Sequence, residues 1–497
     1  MYISDDSRSI SVMASILLNH GTILLHDDND HITPVKSDLL VVGNEIAEIR
    51  PQINGFGKDT VILDCTGKVV SPGFIDTHHH VWQTQLKGRH ANATLLDYMP
   101  RGNSTGALYN AEDVFWGELA GCLEAIDGGT TMLVDHAHIT HGPLHAPNAI
   151  SATVSSGIRS IYGYCDTPNV TSWNPLTFAA ATPDYFDSQL ADLAKQQPFG
   201  DGRVQLGLAF DSFFLPKEMV IERYKSARSL GIKLVTSHYA RGPVVGQHSV
   251  VELLEAYGLL GPDILLSHAS NATPNDAALL ASANAHVSTT PETELQAALG
   301  FPVAFRDDLH GVASLGVDSH SNNSGDMLTQ MRLALQAARG ARNQSFVDAG
   351  KNPNFVKHTV EAAFNLGTIK GARAVGMEGQ IGSIAVGKLA DLVVFDGESP
   401  AMVCAAEHDP VAAIVMHASI RDIEAVIVDG KIRKSGGKLL AVQGPTGGNL
   451  EWKTVAQKLM ESRTRIEAEY RKIDMKSATA RIMEVFQMKP ENFVDSL

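Results

Sequence analysis

Pro72-Gly-Phe-Ile-Asp-Thr-His-His-His80 decides how this chain is read. An apolar run, Gly73-Phe-Ile75, leads straight into three consecutive histidines. Side chains alternate along a strand, so His78 and His80 point one way and His79 the other. Two imidazoles on one side at the end of a buried strand can share a metal ion. The bland alternative, a solvated polar turn, fits poorly with the apolar strand that feeds it.

Seven further short apolar segments follow. They are Thr131-Met-Leu-Val-Asp135, Arg159-Ser-Ile-Tyr-Gly-Tyr164, Val204-Gln-Leu-Gly-Leu-Ala209, Lys233-Leu-Val-Thr236, Ile264-Leu-Leu-Ser267, His286-Val-Ser-Thr289 and Ala313-Ser-Leu-Gly-Val317. Each suits a parallel strand buried on both faces. Helical stretches such as Asp113 to Ala125 and Asn275 to Ala283 lie between most of them. Eight such units over about 250 residues predict an α/β fold, a (β/α)8 barrel. A doubly wound open sheet would show similar alternation.

The flanks differ. Ser15-Ile-Leu-Leu18, Leu39-Leu-Val-Val42 and Val61-Ile-Leu63 are β-rich, as are the stretches from Gly382 to Phe395 and from Ala425 to Lys431. They predict a small β-sandwich built from both ends of the chain, residues 14–70 and 381–445, around a barrel over 71–380. Residues 446–497 read as a helical extension, with Val455, Leu459 and Ile466 at helical spacing, packed on the barrel or on a second subunit.

Three more ligand-capable residues stand at strand ends. His238 follows Leu234-Val-Thr-Ser237, His268 follows Leu265-Leu-Ser267, and Asp318 follows Leu315-Gly-Val317. A lone histidine in such a place is usually structural. Their joint occurrence on strands one, five, six and eight is harder to explain that way, because the C-terminal mouth is where such barrels carry chemistry.

Composition narrows the partners. A formal net charge of -15 repels polyanions, so no nucleic-acid partner is expected. No run of about 18 apolar residues suggests a membrane span. Four widely spaced cysteines, with no CxxC pair, read as a reduced, cytoplasmic protein rather than a cysteine metal site. The N-terminus lacks the pattern of a signal peptide, and Met13 is an alternative start to Met1. The expected partner is a small-molecule substrate.

The 72–80 segment resembles the first-strand motif of the amidohydrolase superfamily, in its chlorohydrolase and aminohydrolase branch with guanine and cytosine deaminases. Gly128-Gly-Thr-Thr131 is similar to that family's approach to the second strand. Gly382-Ser-Ile-Ala-Val-Gly-Lys-Leu-Ala-Asp-Leu-Val-Val394 is similar to its return into the β-sandwich. The resemblance spans roughly residues 14–440. It implies one divalent metal, Zn2+ with Fe2+ or Mn2+ as alternatives, held by His78, His80, His238 and Asp318. Such a cation lowers the pKa of its water towards about 7. Asp318 would then move a proton to the leaving group, and His268 would polarise the substrate. The implied reaction is hydrolysis of a non-peptide C–N bond, by a deaminase or a cyclic amide or amidine hydrolase, in a small cyclic or aromatic molecule. The alternatives are carbon–halogen hydrolysis or non-oxidative decarboxylation at the same site, and a non-catalytic scaffold. The family also implies a homo-oligomer.

One departure stands out. Deaminases of this branch carry a glutamate three residues after the fifth-strand histidine; here Arg241 stands there. Arg241 would bind an acidic substrate group or form a surface ion pair. Glu292 or Glu294, after the seventh strand, could replace the missing acid. Trp82, Gln83, His138 and His320 are expected to line the pocket, with His136 and His138 as substrate or supporting contacts rather than ligands of a second metal. The fourth strand ends without lysine or glutamate to bridge two ions. Asp211 is the only carboxylate near it.

Overall fold

The computed structural model describes residues 15–494; Met13 and Ala14 lie outside them. Eight parallel strands form the central sheet in sequence order: Phe74–His79, Thr130–Ala137, Arg159–Cys165, Val204–Ala209, Val235–Ala240, Ile264–Ser270, His286–Thr289 and Ala313–Leu315. These are the eight strands read from sequence, with ends shifted by a few residues. The ring closes between the last and first: His79 bridges Asp318, the Asp318 amide donates to the His78 carbonyl at 2.8 Å, and the His80 amide donates to the Asp318 carbonyl at 3.0 Å. An open doubly wound sheet has no such closure, so the fold is a (β/α)8 barrel.

Gly316 makes the closure possible. A Cβ there would sit 2.7 Å from the His78 carbonyl oxygen and 2.8 Å from its amide nitrogen. Below the mouth, the Thr77 hydroxyl meets Ser288 and Ser314 at 2.7 and 2.8 Å and donates to the Leu315 carbonyl at 2.9 Å. Small, mutually satisfied hydroxyl groups fill the barrel axis where the strands converge.

The two ends of the chain meet in one nine-stranded sheet, in which Lys68–Pro72 pairs with Ser15–His26 on one side and with Leu392–Asp396 on the other. Alternation sorts its faces. Val70, Leu392, Val394, Ala425 and Ile427 share a core with Ile16, Leu18, Leu39 and Val41. Their neighbours Val69, Val393, Phe395, Val426 and Val428 pack instead against Phe74, Leu133 and Leu315 of the barrel. The β-sandwich unit is thus tied to the barrel by the same strands that build its own core. Much of the glycine-rich stretch from 382 to 391 is turn and coil; its strand begins at Leu392.

The extension forms two helices, Trp452–Tyr470 and Met475–Val485. Ile466 enters the main barrel core and Val455 packs beside Phe115 and Leu119. Ser462 donates to Asp113 at 2.7 Å and accepts from Gln85 at 3.0 Å. These contacts place the tail on the barrel, one of the two positions foreseen for it. Among the described residues, no helix is long and apolar enough to cross a membrane.

Candidate active site

Each proposed ligand histidine has its Nδ1 committed to a neighbour. His78 Nδ1 meets the Ser267 hydroxyl at 2.7 Å, His80 Nδ1 the His136 carbonyl at 2.8 Å, and His238 Nδ1 the Asp211 carboxylate at 2.8 Å. The Nε2 atoms therefore face one point. His80 Nε2 is 3.3 Å from His238 Nε2 and 3.1 Å from Asp318 Oδ1, and His78 Nε2 is 3.3 Å from the same oxygen. Four ligands at about 2.0–2.1 Å around a tetrahedral cation would stand roughly 3.3–3.4 Å apart. Spacing and donor chemistry both fit a divalent cation.

The protonation states of His78, His80 and Asp318 agree. Burial pushes His78 far down and His80 down from the ordinary imidazole value, keeping both neutral, as ligands must be. Burial alone would raise the Asp318 carboxyl, but its close contacts with His78 and His80 hold it well below the usual range. Burial alone would lower His238, but the adjacent Asp211 charge raises it.

His268 belongs to the same cluster. His78, His238, His268 and Asp318 each offer an atom within 4.8 Å of the others. His80 makes closer approaches to Asp318 and His238. The His268 Nδ1 is occupied by the Thr290 hydroxyl at 2.9 Å, which leaves Nε2 for the site. Both His268 (φ 74°) and Asp318 (φ 67°) are non-glycine residues in the left-handed region. Such backbone costs about 1–3 kcal/mol per residue and concentrates at working sites.

The remaining expected residues separate into those at the cluster and those away from it. His138 lies against His80, ring centroids 3.9 Å apart, with both ring nitrogens buried and free of hydrogen bonds. Trp82 stands edge-on to His138 at 5.5 Å, its indole Nε1 likewise unpartnered. Gln83 is one layer back: it donates to Tyr98 at 2.5 Å and accepts from Ser321 at 2.7 Å, and Tyr98 in turn meets Ser319 at 2.8 Å.

His320 does not line the pocket. Its Nδ1 meets Glu124 at 2.8 Å and its ring stands edge-on to His79, 4.8 Å away, behind the strand. His79 faces away from the ligands, as alternation requires, and its Nδ1 meets Asp76 at 2.7 Å. Glu292 also departs from expectation: it accepts from Ser324 at 2.9 Å and Gln330 at 2.7 Å. Glu294 is the fully buried one. Its Oε1 accepts from the Thr290 amide at 2.8 Å and lies 3.5 Å from His268 Nδ1, and its Oε2 has no partner.

Arg241 takes the ion-pair alternative. Its Nη1 lies 3.3 Å from Asp276, a buried carboxylate that also accepts from Tyr239 at 2.8 Å and from Ser249 at 2.5 Å. Arg241→Ala is therefore expected to leave KM within about twofold and to cost about 1 kcal/mol of stability or less. Steady-state kinetics and thermal unfolding check this; a large rise in KM would return Arg241 to substrate binding.

The sequence offered no signal for Asp76. This buried carboxylate accepts from the His78 and Val317 amides at 3.2 and 3.0 Å, across the closing seam. Nor did it show that Asp211 would reach His238.

A closed parallel barrel with imidazoles and a carboxylate gathered at its C-terminal mouth defines the metal-dependent barrel hydrolases. Residues 69–210 and 234–433 match the amidohydrolase family, more than half of the chain, and the protein belongs to that family. It is 26% identical over 450 residues to a 5-methylthioadenosine/S-adenosylhomocysteine deaminase of Syntrophobacter fumaroxidans, covering 87% of this chain and 95% of the relative. It is 28% identical over 459 residues to a 5'-deoxyadenosine deaminase of Methanosphaera stadtmanae, covering 87% and 96%. Among solved structures, an adenosine deaminase from Xanthomonas campestris with bound zinc superposes with a TM-score of 0.76 at 21% identity, covering 92% of this chain and 99% of the other. The zinc complex of an atrazine chlorohydrolase from Arthrobacter aurescens gives 0.74 at 17%, covering 90% and 100%. These last two likenesses bear on the fold alone.

Proposed function

We propose that this protein is a metal-dependent hydrolase that removes an amino group, as ammonia, from a small cyclic or aromatic molecule, with His78, His80, His238 and Asp318 holding one Zn2+. The observation that carries this reading is the convergence of three Nε2 atoms and one carboxylate oxygen at 3.1–3.3 Å, with every Nδ1 already occupied. The deaminases among its sequence relatives support the reaction class.

A cation bound there would acidify a water molecule and make it nucleophilic near neutral pH. The chain supplies the rest. The C–N bond breaks, a C–O bond forms, and one proton of the water leaves with ammonia. Asp318, held as a carboxylate, takes that proton and passes it on. His268 Nε2 stabilises charge developing on the substrate. Trp82 and His138 present unpartnered polar atoms beside the ligands and contact the substrate ring, while Gln83 supports the wall through Tyr98. The proposal further includes a cytoplasmic homo-oligomer without nucleic-acid or membrane partners.

The test is ammonia release by the zinc-loaded protein from a panel of aminopurine nucleosides, aminopyrimidines, cyclic amides and chlorotriazines. Chloride release, or carbon dioxide release from added aromatic acids, would assign the site to another bond. No turnover of any compound by fully metallated protein would count against the reading.

Glu294 takes the place of the absent fifth-strand acid only indirectly, by holding His268. Glu294→Gln is expected to lower kcat on the order of 10- to 100-fold with little change in metal content. Unchanged kcat would show that Thr290 alone suffices to orient the ring.

A further inference from the structure

Asp211 ends the fourth barrel strand and has three contacts. Its Oδ1 accepts the His238 backbone amide at 2.8 Å, its Oδ2 accepts His238 Nδ1 at 2.8 Å, and His136 Nε2 lies 3.0 Å from the same Oδ2. His136, Asp211 and His238 also satisfy the spacing of a metal site of their own. Two arrangements compete: a second ion, or a hydrogen-bonded relay onto the first.

The contacts favour the relay. A second ion would require both nitrogens of His238 to act as ligands, stripping the ring of its proton. It would also place two divalent charges on either side of one imidazole. A 2.8 Å separation between Nδ1 and Oδ2 is a normal charge-assisted hydrogen bond. The carboxylate is further fixed by a backbone amide whose donor cannot be reversed.

We propose that Asp211, with His136 Nε2 beside its Oδ2 at 3.0 Å, is a positioning residue that fixes the tautomer of His238. It accepts the Nδ1 proton, so the Nε2 lone pair faces the metal. Neither Asp211 nor His136 touches the ion. The inference rests on the metal-centre reading above.

The amide at His238 turns this into an unusual expectation. In Asp211→Asn, that backbone donor claims the side-chain carbonyl oxygen, so the amide NH2 is left pointing at His238 Nδ1. An NH2 group cannot accept a proton there. It stabilises the tautomer protonated on Nε2, which is blocked for metal. Asp211→Ala leaves the ring free to choose. The conservative variant should therefore be the worse one, an order that loss of packing would not produce.

The experiment is Zn2+ affinity, measured by chelator competition on wild type, Asp211→Asn, Asp211→Ala and His136→Phe, with far-UV circular dichroism confirming the fold of each. Wild type should bind one ion. Asp211→Asn should bind about 100-fold more weakly or worse, Asp211→Ala about 10-fold more weakly, and His136→Phe by a smaller factor. If Asp211→Ala does not fold, long-range ¹H–¹⁵N correlation of the histidine rings in metal-free protein decides. His238 should carry its proton on Nδ1 in wild type and on Nε2 in Asp211→Asn. Unaltered affinity in Asp211→Asn, an unaltered tautomer, or two tightly held ions in wild type would each overturn the relay while leaving the primary metal centre standing. Wild type that takes up no metal would overturn both.

Discussion

Asp318→Asn is expected to reduce kcat by at least the 10²–10⁴-fold typical of a lost acid–base group, while the protein remains folded. The substitution keeps shape and volume. The closing seam uses the Asp318 backbone amide and carbonyl, which an asparagine also has, and asparagine tolerates the left-handed backbone found there (φ 67°). What disappears is an oxygen able to carry a proton, together with the negative charge that balances a cation among three neutral imidazoles. Turnover and circular dichroism read the two halves of this expectation. Near-normal kcat would remove Asp318 from proton transfer and require a different acceptor.

Stripping the metal is expected to have the other large effect. Dialysis against a strong chelator should abolish activity, and one equivalent of Zn2+ per chain should restore it. Because the cation binds the folded chain and not the unfolded one, it also stabilises the fold. At a free concentration about 1,000 times Kd the gain is about 4 kcal/mol. The thermal midpoint should therefore rise with added Zn2+ and fall with chelator. Full activity in protein shown by elemental analysis to be metal-free would exclude the proposed mechanism. A requirement for two equivalents would reinstate the His136, Asp211 and His238 cluster as a second centre.

The barrel and the proposed ligand set were legible because each candidate stands at, or a few residues past, the end of an apolar strand. His78, His79 and His80 illustrate this: alternation places the outer two toward the cluster and the middle one on Asp76. The same rule failed at His320. It lies two residues past Asp318 and would face the same way on a continuous strand, but the strand ends at Leu315 and Asp318 has positive φ. That turn sends His320 behind the sheet, to Glu124. Glu292 and Glu294 could not be told apart as a pair in a loop. They prove to lie in a short helix, Pro291–Gln296, where residues two apart face roughly opposite sides. Arg241 has its partner on a later helix, at Asp276, and no local pattern announces a contact between separate βα units. In the sequence Asp211 stands out only as the one carboxylate near the end of the fourth strand. Its hydrogen bonds depend on the lateral alignment of the fourth and fifth strands, which spacing along the chain does not reveal.

The seam between the eighth and first strands has a consequence for how the protein matures. His78 and His80 stand on one side of it and Asp318 on the other, and the bonds that close the ring run through these same residues. The proposed ligand set does not exist in a chain whose last strand has not docked. A slip of one residue at the seam would leave Asp318 facing a different member of the histidine run and spoil the coordination geometry. A metal held by these residues would therefore select chains that have finished folding in the correct register. Its binding energy would accrue at the joint between the first-made and last-made strands of the barrel.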